Sequence, residues 1–407
     1  MAKLNGYQHF IGRHWETGSV CNYYAYRGVK APHTGQPYSE ALLLGVSGGI
    51  VMGYFSFAYK GYDPHVAILT RNTFDPLDTL LERLGVAQNI LQTGQPEKGL
   101  ANLVDMLESG LPALVWADMY SLPYNAPHKA LPFGDDMWQM YPVLVYGYDE
   151  AEDTAWIADR ASVPLTVTPG QLAAARGRVK KDKYRLVTLG DPNPLKLASA
   201  VSKGIWDTIQ LFTDKPPKGS RENFGFAAYR RWGDLLINPK SKSSLEKVFP
   251  VGRPMIAGLT SAYWSITLND PSEAAERDTY ADFLEEASLI LKNPGLKQVA
   301  GCFRQCAPAW QALAHALLPD DPPAFQQMRA LMSSVQKLFI ERGGEALPEI
   351  TQANRQLERL KAEVGSDFPL DGGGVRRLFE DLRDRIMGVH DVEMEAVRAL
   401  QEAMEVR

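Results

Sequence analysis

The chain has 407 residues, 45% of them hydrophobic, and a formal net charge of −5, which predicts two domains or three with ordinary buried cores. The mild acidity gives no reason to expect a broad nucleic-acid surface, which requires a basic stripe, and no uninterrupted apolar run reaches the ~18 residues of a membrane span. Three cysteines fit a reducing cytoplasm rather than a disulfide scaffold, and the opening Met1-Ala2-Lys3-Leu4-Asn5-Gly6 lacks the apolar centre of a secretion signal, so a cytoplasmic protein is expected.

Up to residue 192 short apolar runs alternate with turns and short helices. A helix is expected from Trp15, in the run Gly12-Arg13-His14-Trp15-Glu16-Thr17-Gly18-Ser19-Val20-Cys21-Asn22. Ser39 is the expected N-cap of the next, which makes Glu40 a first-turn carboxylate. Gly45-Val46-Ser47-Gly48-Gly49-Ile50 lacks the Lys-Ser/Thr of a P-loop and reads as a turn. The cluster Tyr23, Tyr24, Tyr26, Tyr54, Phe55, Phe57 and Tyr59 reads as core, or as the wall of an aromatic or acyl pocket.

Val66–Leu69, Ala113–Trp116, Val143–Tyr146, Thr154–Ile157 and Tyr184–Leu189 read as strands. Between them, Asp75-Pro76 opens a helix through Leu80, Leu81 and Leu84. Pro96 opens another that stops at Gly110, and Pro169 to Gly177 is a third. From about residue 193 only helical periodicity appears, over roughly 194–213, 220–237, 252–268, 272–292, 295–317, 322–342, 346–364 and 374–404. Pro216-Pro217-Lys218-Gly219, Pro319-Asp320-Asp321-Pro322-Pro323 and Asp371-Gly372-Gly373-Gly374 punctuate the joints, and Pro308 is expected to kink or divide the fifth helix. The organisation expected is an α+β domain over 1–192 and an all-α domain over 193–407.

Several matches lie in one order: His14, the step from Trp15 to Gly28, Ser39-Glu40, Asp118 followed by Leu122-Pro123-Tyr124, Gly147-Tyr148-Asp149, Asp159-Arg160 and Ala175-Arg176. With the helical run Arg277-Asp278-Thr279-Tyr280-Ala281-Asp282-Phe283-Leu284, they make the chain resemble the butirosin biosynthesis protein H family over nearly its whole length. That resemblance implies a papain-like α+β domain, then a helical domain, in a family whose founding member is an aminoacyl transferase of antibiotic biosynthesis. In the family pattern a His-Cys pair starts the first helix and a His starts the strand leading into Gly-Tyr-Asp. A thiolate at a helix N-terminus, a His base and an orienting carboxylate then make a covalent acyl-transfer site. Here Trp15 and Tyr141 stand at the Cys and second His positions. Indole offers only an N–H donor, so no acyl-enzyme forms there.

Three functions follow from the resemblance. In the first, the protein binds an acyl, peptidyl or amine substrate and acts by noncovalent acid–base chemistry, with His14, Tyr141, Asp159 and Asp118 as catalytic groups and Trp15, Glu40, Tyr120 and Tyr124 lining the substrate. In the second it is catalytically silent and binds a ligand or an acyl carrier protein. In the third Cys21 is the thiol, although it lies about 240° round the helix from Trp15 at ~100° per residue. Cys302 and Cys306 read as core cysteines because further ligands for a metal are missing nearby. No cofactor or metal is expected; the amphipathic C-terminal helices leave room for a homodimer.

Overall fold

The computed structural model describes residues 1–125, 138–213, 216, 220–268, 270 and 272–405. Residues 217–219 of the expected proline joint lie outside them. The N-terminal part consists of β1 (Ala2–Lys3), α1 (Trp15–Tyr26), α2 (Glu40–Val46), β2 (Ile50–Phe57), β3 (His65–Arg71), α3 (Pro76–Leu84), β4 (Gln88–Leu91), α4 (Pro96–Glu108), β5 (Ala113–Asp118), β6 (Met140–Asp149), β7 (Thr154–Ala158), β8 (Leu165–Val167), α5 (Pro169–Gly177) and β9 (Leu186–Leu189). Every later element among the described residues is a helix: α6 (Leu197–Thr213), α7 (Gly225–Ile237), the short α8 (Leu245–Val248), α9 (Arg253–Thr267), α10 (Arg277–Ile290), α11 (Gly295–Leu317), α12 (Pro323–Arg342), α13 (Leu347–Ser366) and α14 (Gly372–Glu405), with short 3₁₀ turns between them. The chain is thus α+β followed by all-α, and the eight long helices expected after residue 193 are all present. No described helix is long and apolar enough to cross a membrane.

The chain forms two compact units that interleave along the sequence. One takes Met1–Leu43, Leu77–Leu197 and Val335–Gln352; the other takes Leu44–Pro76, Ala198–Ser334 and Ala353–Arg407. The first holds an antiparallel sheet in the order β4-β9-β5-β6-β7-β8, with β1 also paired to β6. Register places Ala117 opposite Tyr141 and Asp118 opposite Met140. Helix α1 packs against β6 and is buried along almost its whole length, from Trp15 to Ala25 except Glu16. Its approach is tight: a Cβ on Gly12 would lie 2.4 Å from the Cα of Gly18. Asn22 fixes the incoming chain, its Oδ1 accepting from the N–H groups of Ile11 at 3.0 Å and Gly12 at 3.1 Å.

Helix α5 starts on a capping box in which Thr168 and Gln171 each satisfy the other's backbone N–H. The strands absent from the periodicity are β1, β2, β4 and β8. Three of them have only two to four residues, too few for an alternation to show, and β2 is a continuous apolar run ending the stretch that read as a turn.

The second unit combines the antiparallel hairpin β2–β3 with the helices. Its α11 runs unbroken for 23 residues through Pro308, so that proline does not divide it. Burial of α11 against α10 and α14 offsets the one hydrogen bond the ring removes. At the centre lies Arg277, fully buried. Its Nε donates to Glu393 at 2.5 Å, and its Nη groups donate to the carbonyls of Thr70 at 3.0 Å, Ala275 at 2.6 Å and Val51 at 3.1 Å. Glu393 also accepts from Tyr229 Oη at 2.5 Å and Trp310 Nε1 at 2.7 Å. Burial alone lowers an arginine pKa, but adjacent Glu393 outweighs it and the Arg277 guanidinium is held more firmly protonated than in water.

Removing one member of such a pair strands a charge in a dry core. Glu393→Ala is expected to destabilise this unit by about 3–5 kcal/mol, read as a large fall in its thermal midpoint. Replacing both residues by apolar ones of similar size is expected to cost less than Glu393→Ala alone.

Candidate functional site

The site forms where α1 begins. His14 is the N-cap, extended at φ −122° and ψ 149°, and its Nδ1 accepts from the N–H of Glu16 at 3.4 Å. Glu40 closes the same helix end from α2. One carboxylate oxygen accepts from the N–H of Arg13 at 2.6 Å, and the other from the N–H of His14 at 2.9 Å and the Thr17 hydroxyl at 2.9 Å. The charge complements the positive end of the helix dipole. Ser39 caps α2 as expected, its Oγ accepting from the N–H of Leu42 at 2.9 Å.

Trp15, the first residue of α1, is 7% exposed. Its indole stacks on Tyr141 of β6, with centroids 4.5 Å apart and planes at 11°, and meets the His14 ring edge-on at 5.4 Å. The Arg160 guanidinium lies over the same indole at 4.4 Å. Stacking and cation–π attraction both hold the indole in place. Its Nε1 has no hydrogen-bond partner among the described residues. Tyr141 is half-buried and its hydroxyl accepts from Gln139 Nε2 at 2.8 Å. Burial, reinforced by Glu16 and Tyr120, raises its pKa against the opposing pull of Arg160. At neutral pH it is therefore a neutral phenol and no base.

Asp159 directly follows β7 and is 2% exposed. Arg160 turns back on it at φ +57°, donating from Nε to Oδ1 at 2.9 Å and from Nη2 to Oδ2 at 3.0 Å. Tyr124 Oη also donates to Oδ2, at 3.1 Å. Tyr124 is fully buried, and burial followed by the Asp159 charge raises its pKa far above the usual phenol value. Arg160 also bonds Asn125 Oδ1 and lies 5.2 Å from the Phe339 ring. No hydrogen bond joins Asp159 to Tyr141 among the described residues; the carboxylate faces Arg160 and Tyr124 instead.

Asp118 ends β5 as the cap of the 3₁₀ turn Met119–Ser121. It accepts from the N–H groups of Tyr120 at 3.4 Å and Gln139 at 2.9 Å, and from the Ser121 hydroxyl at 2.6 Å. Tyr120 is half-buried, and burial with the Asp118 charge raises its pKa. Cys21 is 1% exposed and its Sγ lies 3.1 Å from the Tyr38 carbonyl, so its thiol is enclosed in the core.

The structure therefore brings His14, Trp15, Tyr141 and Arg160 together, with Asp159 and Tyr124 behind Arg160. Glu40 and Asp118 satisfy backbone N–H groups nearby. Arg160 appeared in the sequence only as the neighbour of Asp159, and its contacts with Asp159 and the Trp15 ring appear only in the structure. Asn125 gave no signal. Phe339, on α12, lies too far along the chain for any local pattern to connect it.

The family described as Butirosin biosynthesis protein H, N-terminal, matches residues 14–160. No curated protein matches the chain.

Glu40→Ala is expected to destabilise by about 2–3 kcal/mol, the scale of charge-assisted bonds to the α1 terminus, measured by denaturant unfolding. Tyr141→Phe, which keeps the stack and removes only the bond to Gln139, is expected to cost under about 1 kcal/mol in the same assay.

Proposed function

We propose, from the match of residues 14–160 to the butirosin biosynthesis protein H, N-terminal family, a biosynthetic, acyltransferase-like protein that binds an acyl, peptidyl or amine ligand without forming an acyl-enzyme. In this reading the α+β domain is papain-like, and Trp15 and Tyr141 occupy the places of the family's nucleophile and base. The observation that carries it is the Trp15 indole packed against both Tyr141 and Arg160 where the family chemistry begins. The other acid–base groups support it. Asp159 is neutralised by Arg160, Asp118 serves a turn, and His14 Nδ1 caps α1. A silent binding role for a ligand or its carrier is thus favoured over turnover.

Noncovalent catalysis is the second reading, favoured by the half-buried Tyr141, whose hydroxyl meets the exposed bond to Gln139. A neutral phenol donates a proton or a hydrogen bond without being ionised first.

Incubation with an aminoacyl pantetheine thioester is expected to leave the intact mass unchanged and to raise the melting temperature. A mass increase that disappears in Cys21→Ala would overturn the noncovalent reading altogether. Turnover that survives Cys21→Ala and is lost in Tyr141→Phe would replace silent binding by acid–base catalysis.

A further inference from the structure

The first compact unit carries a concave pocket of about 620 Å³ between the end of β4 and the segment after α5, lined by Gln92, Thr93, Gly94, Gly177, Arg178, Lys180 and Lys183. Three of these seven residues are cations and none is a carboxylate, in a chain where Asp and Glu outnumber Lys and Arg by 48 to 43. The nearest acidic neighbour in sequence, Asp182, faces Arg185 at 3.8 Å. Lys180 and Lys183 form no ion pair among the described residues; Lys183 Nζ lies 5.9 Å from the Tyr184 ring. Gln92 Nε2 bonds the Lys181 carbonyl, which ties the two walls together. The Thr93 hydroxyl accepts from the N–H of Gln95 at 3.1 Å, so its own proton remains available to an acceptor.

Like charges collected in a hollow raise the local potential and focus anions there. We propose that this pocket binds a phosphorylated small molecule, its phosphate oxygens taken by Lys180 and Lys183 and oriented by the Thr93 hydroxyl. Ammonium donors form the strong, charge-assisted class of bond to phosphate. The concave shape and the small number of cations fit a compact anion rather than a nucleic acid, which needs an extended basic stripe. This inference does not depend on the Trp15 site.

The test uses the full chain and inorganic pyrophosphate as the probe, at low ionic strength because salt screens such contacts. Pyrophosphate is expected to raise the melting temperature of the wild type and of Lys181→Ala, whose side chain lies outside the lining. In Lys180→Ala/Lys183→Ala, which should melt like the wild type without ligand, binding is expected to weaken by about tenfold or more. No shift in the wild type, or an equal shift in all three proteins, would overturn the proposal. So would binding of a single-stranded RNA oligomer that pyrophosphate fails to displace.

Discussion

Charge taken out of water must be matched by donors and counter-charge close at hand, and this constraint organises both compact units. Glu393 is fully buried and receives Arg277, Tyr229 and Trp310 at once. Arg277 in turn spends its remaining donors on the carbonyls of Val51 and Thr70. One ion pair thereby holds the hairpin β2–β3 to α7, α10, α11 and α14. The apolar core supplies the driving force of folding, but that is nondirectional. The buried pair adds the requirement that these elements meet in one arrangement.

The same rule shapes the site in the first unit. A carboxylate at the end of β7 orients whichever donors reach its two oxygens. Arg160 claims Asp159 from the adjacent position, and its guanidinium then lies on the Trp15 ring. The aromatic stack and the ion pair reinforce each other: the indole covers the guanidinium, and the guanidinium holds the indole against Tyr141. Glu40 performs the parallel task at the α1 terminus, accepting there from the N–H groups of Arg13 and His14. The positive end of the helix dipole is thus matched by a carboxylate.

Much of the fold was legible in the sequence, because amphipathic helices and half-buried strands leave a periodic trace. The long helices after residue 193 and the strands β3, β5, β6, β7 and β9 all appear where the pattern placed them. The strand β2 was not read from the sequence, because a largely apolar run does not distinguish strand from core helix. Pro308 shows the limit of a local rule, since packing on both sides carries α11 across it. At the site, His14, Trp15, Tyr141 and Asp159 were singled out by the resemblance to the family pattern. What each is bonded to was not, because a hydrogen-bond partner carries no periodic signal.

By itself the sequence determined the fold class, most element positions and the family resemblance of residues 14–160, since these depend on side-chain type and local order. It also determined that Trp15 cannot act as a thiol, which is a matter of covalent chemistry. Only the tertiary structure decided that Asp159 pairs with Arg160 and Tyr124, that Cys21 is enclosed beside Tyr38, and that Glu40 and Asp118 serve backbone N–H groups. It alone placed Phe339 beside Arg160 and gathered Arg178, Lys180 and Lys183 round one hollow with Gln92 and Thr93. The physical reason is common to all of them: each depends on which groups far apart in the chain become neighbours once water is removed.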